Sequence, residues 1–173
     1  MLFGEVNPGG KLTVTIPRSV GQLPVYYNHK PLVHDRRYVS GVCSPLYPFG
    51  HGLSYTKFQY EKLVVSPATA KVGGSVAVTV TVRNTGDRAG DEVVQLYLRD
   101  AVSSVSRPVM ELKDFQRITL APGEARSVSF AVTPDKLQFY NLAMQRVVEP
   151  GEFRVMVGTS SAEFLTSQFV ISN

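Results

Sequence analysis

The acidic side chains are the first candidates for chemistry, since hydrolysis by general acid–base catalysis needs two carboxylates held at a fixed separation. Neighbouring residues of a strand point to opposite faces, so Asp91 and Glu92 cannot converge if their segment is extended. The spacing of the other acidic residues does not predict a shared pocket. We therefore predict no catalytic residue and interpret the candidate carboxylates as structural or solvated: Glu5, Asp35, Asp91, Glu92 and Asp100.

Histidine and cysteine are too few to predict a metal or thiol-based site. The chain has 3 histidines and a single cysteine, Cys43. The spacing of His29 and His34 is not specific for a metal outside a helix. The sequence has no G-x-S-x-G nucleophile elbow and no phosphate-binding glycine loop. It therefore predicts no metal site and no cofactor.

Aromatic residues cluster in the first third of the chain. Six of the 8 tyrosines lie at positions 26, 27, 38, 47, 55 and 60. Flat rings can stack on the faces of sugars or pack between domains, although the chain lacks tryptophan, the commonest residue in sugar platforms. We expect a set of side chains here to contact either a glycan or a neighbouring domain: Tyr26, Tyr27, Tyr47, Phe49, His51 and Tyr55.

Charge and hydropathy exclude two classes of partner. Lysine and arginine number 18 against 14 acidic residues, and they are scattered rather than grouped into the stripe typical of nucleic-acid binding. No apolar run approaches the roughly 20 residues of a membrane helix. The first ten residues also lack the basic and apolar regions of a signal peptide. We expect neither nucleic acid nor membrane as a partner, and any secretion signal would lie upstream.

Residues 57–173 show the alternation of half-buried strands. Valine occupies every second position from Val76 to Val82, so one face packs inward and the other meets water. Weaker strands are predicted at 58–65, 111–120 and 145–149, with one helical turn at 134–137. The same alternation predicts further core-facing sets: Val94, Leu96 and Leu98; Val128, Phe130 and Val132; Phe153, Val155 and Val157; Phe169 and Ile171.

Proline and glycine separate these strands. Ala121–Glu124 and Glu149–Glu152 both carry Pro-Gly at their central positions, which predicts type II turns with glycine at a positive φ. Seven or eight short strands joined by such turns are typical of an antiparallel β-sandwich.

Residues 1–43, here called the arm, do not follow this pattern. Lys11–Ile16 alternates like one strand that ends at Pro17, but a single strand cannot bury its own face. We expect the arm to pack on its own sandwich or to exchange with a second copy, giving a homodimer. Residues 44–56, the junction, combine prolines, glycines and aromatic rings in a pattern typical of neither helix nor strand.

Three groups of stretches are distinctive: Leu2–Leu12 with Val14–Asn28; Pro45–Thr56; and Val82–Gly86, Ser106–Val109, Leu112–Phe115 and Glu149–Phe153. They resemble the C-terminal part of family 3 glycoside hydrolases, most closely the bacterial periplasmic β-glucosidases. The first group resembles the tail of the family's middle α/β domain. The second resembles its characteristic junction motif, with His51 where tyrosine is more usual, and the third resembles its fibronectin type III-like domain.

The resemblance implies an all-β, immunoglobulin/fibronectin type III-like antiparallel β-sandwich with an N-terminal extended arm. It divides the chain into a remnant of the α/β domain with a linker (1–43), an aromatic junction (44–56) and the sandwich (57–173). The family's nucleophilic aspartate and acid/base glutamate lie on domains that precede these residues. No position of this chain can inherit either role.

These implications favour a non-catalytic accessory part that stabilises a β-glucosidase-like enzyme acting on β-glucosides. Its partners would be the catalytic domains of the parent, which would be periplasmic or secreted. Two alternatives stay open at this point. The chain could be a stand-alone carbohydrate-binding module, or a fragment with hydrolase activity of its own.

Overall fold

A computed structural model describes residues 1, 3–31 and 42–173 of the chain. His34, Asp35 and Tyr38 lie outside the described residues. The strands, in chain order, are β1 (Phe58–Ser66), β2 (Thr69–Lys71), β3 (Val76–Asn84), β4 (Gly90–Asp100), β5 (Glu111–Leu120), β6 (Ala125–Val132), β7 (Phe139–Tyr140), β8 (Arg146–Val147), β9 (Gly151–Gly158) and β10 (Phe164–Ser172).

Two main sheets form a sandwich. One sheet has the order β1-β3-β6 and the other β2-β10-β9-β4-β5, while β7 and β8 form a separate pair. The predicted β-sandwich is confirmed. The ladders are antiparallel except that between β2 and β10, which is parallel. After β1, the chain crosses to the other sheet and runs alongside its last strand.

The core lies between the two sheets. Each predicted core-facing set is buried there, including all four alternating valines of β3. The rings of Phe153 and Phe169 stack with centroids 5.3 Å apart. Fully burying one such apolar side chain stabilises the fold by about 1.5–3 kcal/mol. Period-two patterning therefore identified the residues that hold the sandwich together.

The weaker strand predictions have different outcomes. The strand predicted at 58–65 corresponds to β1 (Phe58–Ser66), and β5 and the helical turn α1 (Pro134–Leu137) have the predicted bounds. The strand predicted at 145–149 is reduced to the two residues of β8, and the short strands β2 and β7 were not predicted. Strands of two or three residues are too short for an alternation to show.

The two Pro-Gly turns also differ. Gly123 has φ +76° and the Glu124 amide donates to the Ala121 carbonyl over 3.0 Å, as a type II turn requires. Gly151 instead has φ 159° and pairs with Ile171 as the first residue of β9. The predicted type II turn is wrong at this second site because the ladder to β10 draws Gly151 into extended backbone.

The arm does not form the strand predicted at Lys11–Ile16. Only Ile16 bridges to the junction, at Tyr47. The Leu12 amide donates to the His51 carbonyl, and the Gly50 amide donates to the Leu12 carbonyl, both over 2.8 Å. The junction thus forms backbone hydrogen bonds with the arm at Leu12 and at Ile16, and the backbone between these two residues bends. The described part of the arm packs on its own sandwich, which is one of the two expected arrangements.

Asn84, at the end of β3, is a fully buried polar residue that joins four segments. Its side-chain amide donates to the carbonyls of Arg88 and Leu120 over 2.7 and 3.1 Å. Its side-chain oxygen accepts from the Thr56 hydroxyl at 2.5 Å and from the Gly86 amide at 3.1 Å. A buried polar group is tolerated only when it is hydrogen-bonded, and here the bonds tie the junction to the sandwich.

We predict that Asn84→Ala lowers the free energy of unfolding by about 2–4 kcal/mol, because the carbonyls of Arg88 and Leu120 lose their donor away from water. Thermal or urea unfolding measures the change. Ser127→Ala, on the exposed face of β6, should stay within about 0.5 kcal/mol of the original chain. Equal effects of the two substitutions would contradict the role given to Asn84.

Candidate functional site

The candidate site is the contact between the arm, the junction and the outer face of the five-stranded sheet. On β4, Val94, Leu96 and Leu98 face the core, so the intervening side chains face outward. Two of these outward residues, Gln95 and Tyr97, are nevertheless 3% and 0% exposed. Segments from the first third of the chain cover them.

An aromatic stack makes the apolar part of this contact. The rings of Tyr27 and Phe49 stack with centroids 4.3 Å apart, and Tyr27 meets Tyr97 edge-on at 5.8 Å. Met110 and Met156 complete what we call the outer cluster. Burial, followed by the neighbouring Tyr27, raises the pKa of Tyr97 above its ordinary range. The Tyr97 hydroxyl therefore stays protonated and acts as a hydrogen-bond donor.

Gln95 makes the polar part of the same contact. Its amide donates to the carbonyls of Thr159 and Gly50 over 2.6 and 3.3 Å, and its oxygen accepts from the Tyr97 hydroxyl at 2.5 Å. Gly50 has φ +80°, and a Cβ there would lie 2.2 Å from the Gln95 oxygen. Only glycine fits this approach, which explains the glycine after Phe49 in the junction.

A buried ion pair makes the second contact. Lys11 Nζ lies 3.1 Å from Glu92 Oε1 and donates to the Thr159 hydroxyl over 2.7 Å. The Tyr60 hydroxyl donates to the same Glu92 oxygen over 2.8 Å. Burial and then the Glu92 charge raise the pKa of Tyr60. A carboxylate this buried needs both partners, so the sandwich depends on a residue of the arm.

Asp91 and Glu92 point to opposite faces, as predicted. Asp91 is only partly buried and bonds to Thr119 and Arg117. The hydrogen bond from Thr119, followed by that from Arg117, lowers the pKa of Asp91. Both carboxylates have structural partners, and they do not form a catalytic pair.

The N-terminus is held by a third set of contacts. Asn7 donates to the Ala89 carbonyl over 3.0 Å and accepts from the Tyr55 amide at 2.8 Å. The Tyr55 hydroxyl donates to the Met1 carbonyl over 2.8 Å. These bonds fasten the start of the arm to the last residues of the junction.

The predicted site residues fall into separate groups. Tyr27 and Phe49 belong to the outer cluster. Tyr47 and His51 stack with each other, centroids 5.0 Å apart, at the surface. Tyr55 holds the N-terminus, and Tyr26 is 47% exposed on the wall of a cleft.

Sequence reasoning missed Lys11, Gln95 and Tyr97. One signal was available for the last two, since Val93–Leu98 is apolar at almost every position. A strand that is buried on both faces has a continuous apolar sequence rather than alternating apolar and polar residues.

Over 1, 3–31 and 42–173, no three His, Cys, Asp or Glu side chains are grouped so that they could hold a metal ion. Glu5 is exposed. Asp100 is half-buried, and burial, offset by Arg107 and reinforced by Glu149, raises its pKa to about 6. No helix in the described part of the chain is long and apolar enough to cross a membrane.

Two protein-family models match parts of this chain. Residues 92–161 match the fibronectin type III-like domain, and residues 1–55 match the C-terminal domain of glycosyl hydrolase family 3. The molecule is therefore a fibronectin type III-like sandwich preceded by residues that match a second family model. The chain belongs to glycosyl hydrolase family 3 and corresponds to the C-terminal part of its members, which confirms the resemblance noted from the sequence.

Individual members of the family are similar to this chain over nearly its whole length. The structure of a β-glucosidase from Erythrobacter marinus matches with a TM-score of 0.95 and 46% identity over 99% of this chain and 23% of that chain. The putative β-xylosidase of Formosa agariphila is 46% identical over 98% of this chain and 22% of its own length. The periplasmic β-glucosidase of Salmonella typhimurium is 45% identical over 98% of this chain and 23% of its own length. The chain thus spans about a quarter of the length of these relatives.

We predict that Lys11→Met lowers the free energy of unfolding by about 3 kcal/mol, since it leaves the buried Glu92 carboxylate unpaired. Adding Glu92→Gln should restore much of the loss, because the charge is removed while Tyr60 keeps an acceptor. Urea unfolding measures both effects. Arg117→Met breaks an exposed pair with Asp91 and should cost less than about 1 kcal/mol. If Lys11→Met lowered the free energy of unfolding no more than this control does, the stabilising role of the Lys11–Glu92 ion pair would be disproved.

We also predict a pH-dependent effect of Asp100→Asn. The pKa of Asp100 is about 6 in the folded chain and about 3.9 in an unfolded one. The folded state therefore binds more protons between these values, and the stability contributed by Asp100 is lost as pH rises through that window. The Tm of the variant relative to the original chain should rise from pH 4 to pH 7 and then level off. The exposed Asp87→Asn should show no such trend, and a flat difference for Asp100→Asn would refute the prediction.

Proposed function

We propose that this chain is the non-catalytic, stabilising C-terminal part of a β-glucosidase-like enzyme that acts on β-glucosides. The observation that carries the proposal is the double burial of β4. Its inner face packs in the core of the sandwich, while its outer face packs against the residues that match the family 3 C-terminal domain. Such a contact supports a neighbouring domain without touching substrate.

The division of the chain follows the same contacts. We infer that residues 1–43 belong to the neighbouring α/β domain, that residues 44–56 join it to the sandwich, and that residues 57–173 form the support. Phe49 and Gly50 of the junction contact β4 directly. The aromatic rings of the junction therefore serve interdomain packing in this proposal.

The partner in this proposal is the rest of the parent enzyme. The arm and junction expose several large apolar side chains, among them Phe3 at 94%, Val20 at 83% and Leu53 at 75%. In this proposal these exposed side chains pack on the rest of the parent enzyme, since contact with a partner removes apolar surface from water. The relatives are about four times longer than this chain, so their remaining domains are the natural occupants. One relative is named periplasmic, and we infer a periplasmic or secreted parent.

A chimera tests the proposal. The C-terminal segment of the Erythrobacter marinus β-glucosidase is replaced by this chain, and hydrolysis of 4-nitrophenyl β-glucoside is measured together with Tm. We predict an active chimera, and no turnover by this chain alone. Phe49→Ala in the chimera should lower Tm by several degrees while kcat at 25 °C stays within about twofold, because Phe49 holds the contact and does not reach substrate.

Carboxylate variants provide the control. Glu92→Gln and Asp100→Asn in the chimera should change Tm without abolishing turnover. Turnover by the isolated chain would show that it carries catalytic groups and would overturn the proposal. Loss of turnover in a Glu92→Gln or Asp100→Asn chimera whose Tm is unchanged would do the same.

A further inference from the structure

A cleft lies beside the outer cluster, between the arm and the five-stranded sheet. Its volume is about 630 Å³, within the usual range of small-ligand sites. Met110 and Met156 form an apolar floor, and Tyr26 forms part of the wall. Arg99 and His29 bring polar groups to the same space.

Arg99 is the distinctive residue of this cleft. Its side chain has no hydrogen bond or ion pair with any residue in the described part of the chain. The strand registers place it in a row with Arg154 of β9 and Gln168 of β10. Arg154 has an exposed contact of 3.6 Å with Glu152, which is worth little in water. The row places two guanidinium groups and one amide on the outer face of the sheet, and Arg99 is the member of the row that lines the cleft.

We propose that this cleft binds an acidic sugar, a uronic acid residue of an oligosaccharide. The planar Arg99 guanidinium would take the carboxylate through two parallel hydrogen bonds. The exposed Tyr26 ring and the methionine floor would take the apolar face of the pyranose.

The combination of groups selects this ligand class over simpler anions. A phosphate or a free carboxylate would use Arg99 but would leave the floor and Tyr26 without contacts. A neutral sugar would use the ring and leave the guanidinium unpaired. This inference goes beyond the proposed stabilising role and does not depend on it, since the cleft is formed within this chain.

Titration of the full chain, followed by amide chemical shifts, tests the proposal. The probes are cellobiuronic acid, in which glucuronate is linked to glucose, and cellobiose, which lacks only the carboxylate. We expect cellobiuronic acid to bind at least about 10-fold more tightly, the usual effect of a charge-assisted hydrogen bond. Its affinity should fall with added salt. Absence of shifts at roughly 10 mM cellobiuronic acid would overturn the proposal, as would equal binding of cellobiose.

Matched variants locate the site. Arg99→Gln should weaken cellobiuronic acid binding at least about 10-fold, whereas Arg126→Gln, on the other sheet, should leave it unchanged. Tyr26→Leu should weaken it several-fold, and the exposed Tyr140→Leu should not. Thermal melting confirms that each variant is folded. Sodium acetate binding as tightly as cellobiuronic acid, or a Glu-containing peptide doing so, would refute a sugar site.

Discussion

The middle of strand β4 is buried on both faces, and the position of the described part of the arm depends on this constraint. Its inner side chains complete the core with β3, β6 and β9, which is the ordinary state of a sandwich strand. Its outer side chains, Gln95 and Tyr97, need a cover that the sandwich itself does not supply. The arm and junction provide that cover through the rings of Tyr27 and Phe49 and the backbone of Gly50. These contacts hold the described part of the arm on the sandwich.

Buried polar groups decide where the arm docks. An apolar patch alone would allow the rings to slide, because hydrophobic burial has no preferred direction. Glu92, Gln95 and Asn84 each require partners at defined distances, and Lys11, Gly50 and Thr56 supply them. Each contact joins residues far apart in the chain. Loss of one of these partners removes a directional bond from a group that is buried away from water, which lowers stability.

This arrangement separates two surfaces with different uses. Tyr27 of the arm and Phe49 and Gly50 of the junction pack on β4. Phe3 and Val20 of the arm and Leu53 of the junction are exposed. The cleft opens between arm and sheet and is lined by both Arg99 and Tyr26. A supporting role and a ligand site can therefore coexist in one chain, because they use different residues.

The amino-acid sequence by itself determined the sandwich, most of its strands and its core, because the alternation along β3, β6 and β9 is a local property of the backbone. It also determined the family, through the motifs around residues 45–56. Only the tertiary structure decided that Lys11 pairs with Glu92 and that Tyr27 stacks on Phe49. These contacts join residues 81 and 22 positions apart, and a periodic pattern contains no information on such separations. The Lys11–Ile16 alternation, taken alone, predicted a strand, but docking onto the junction imposed a bent path.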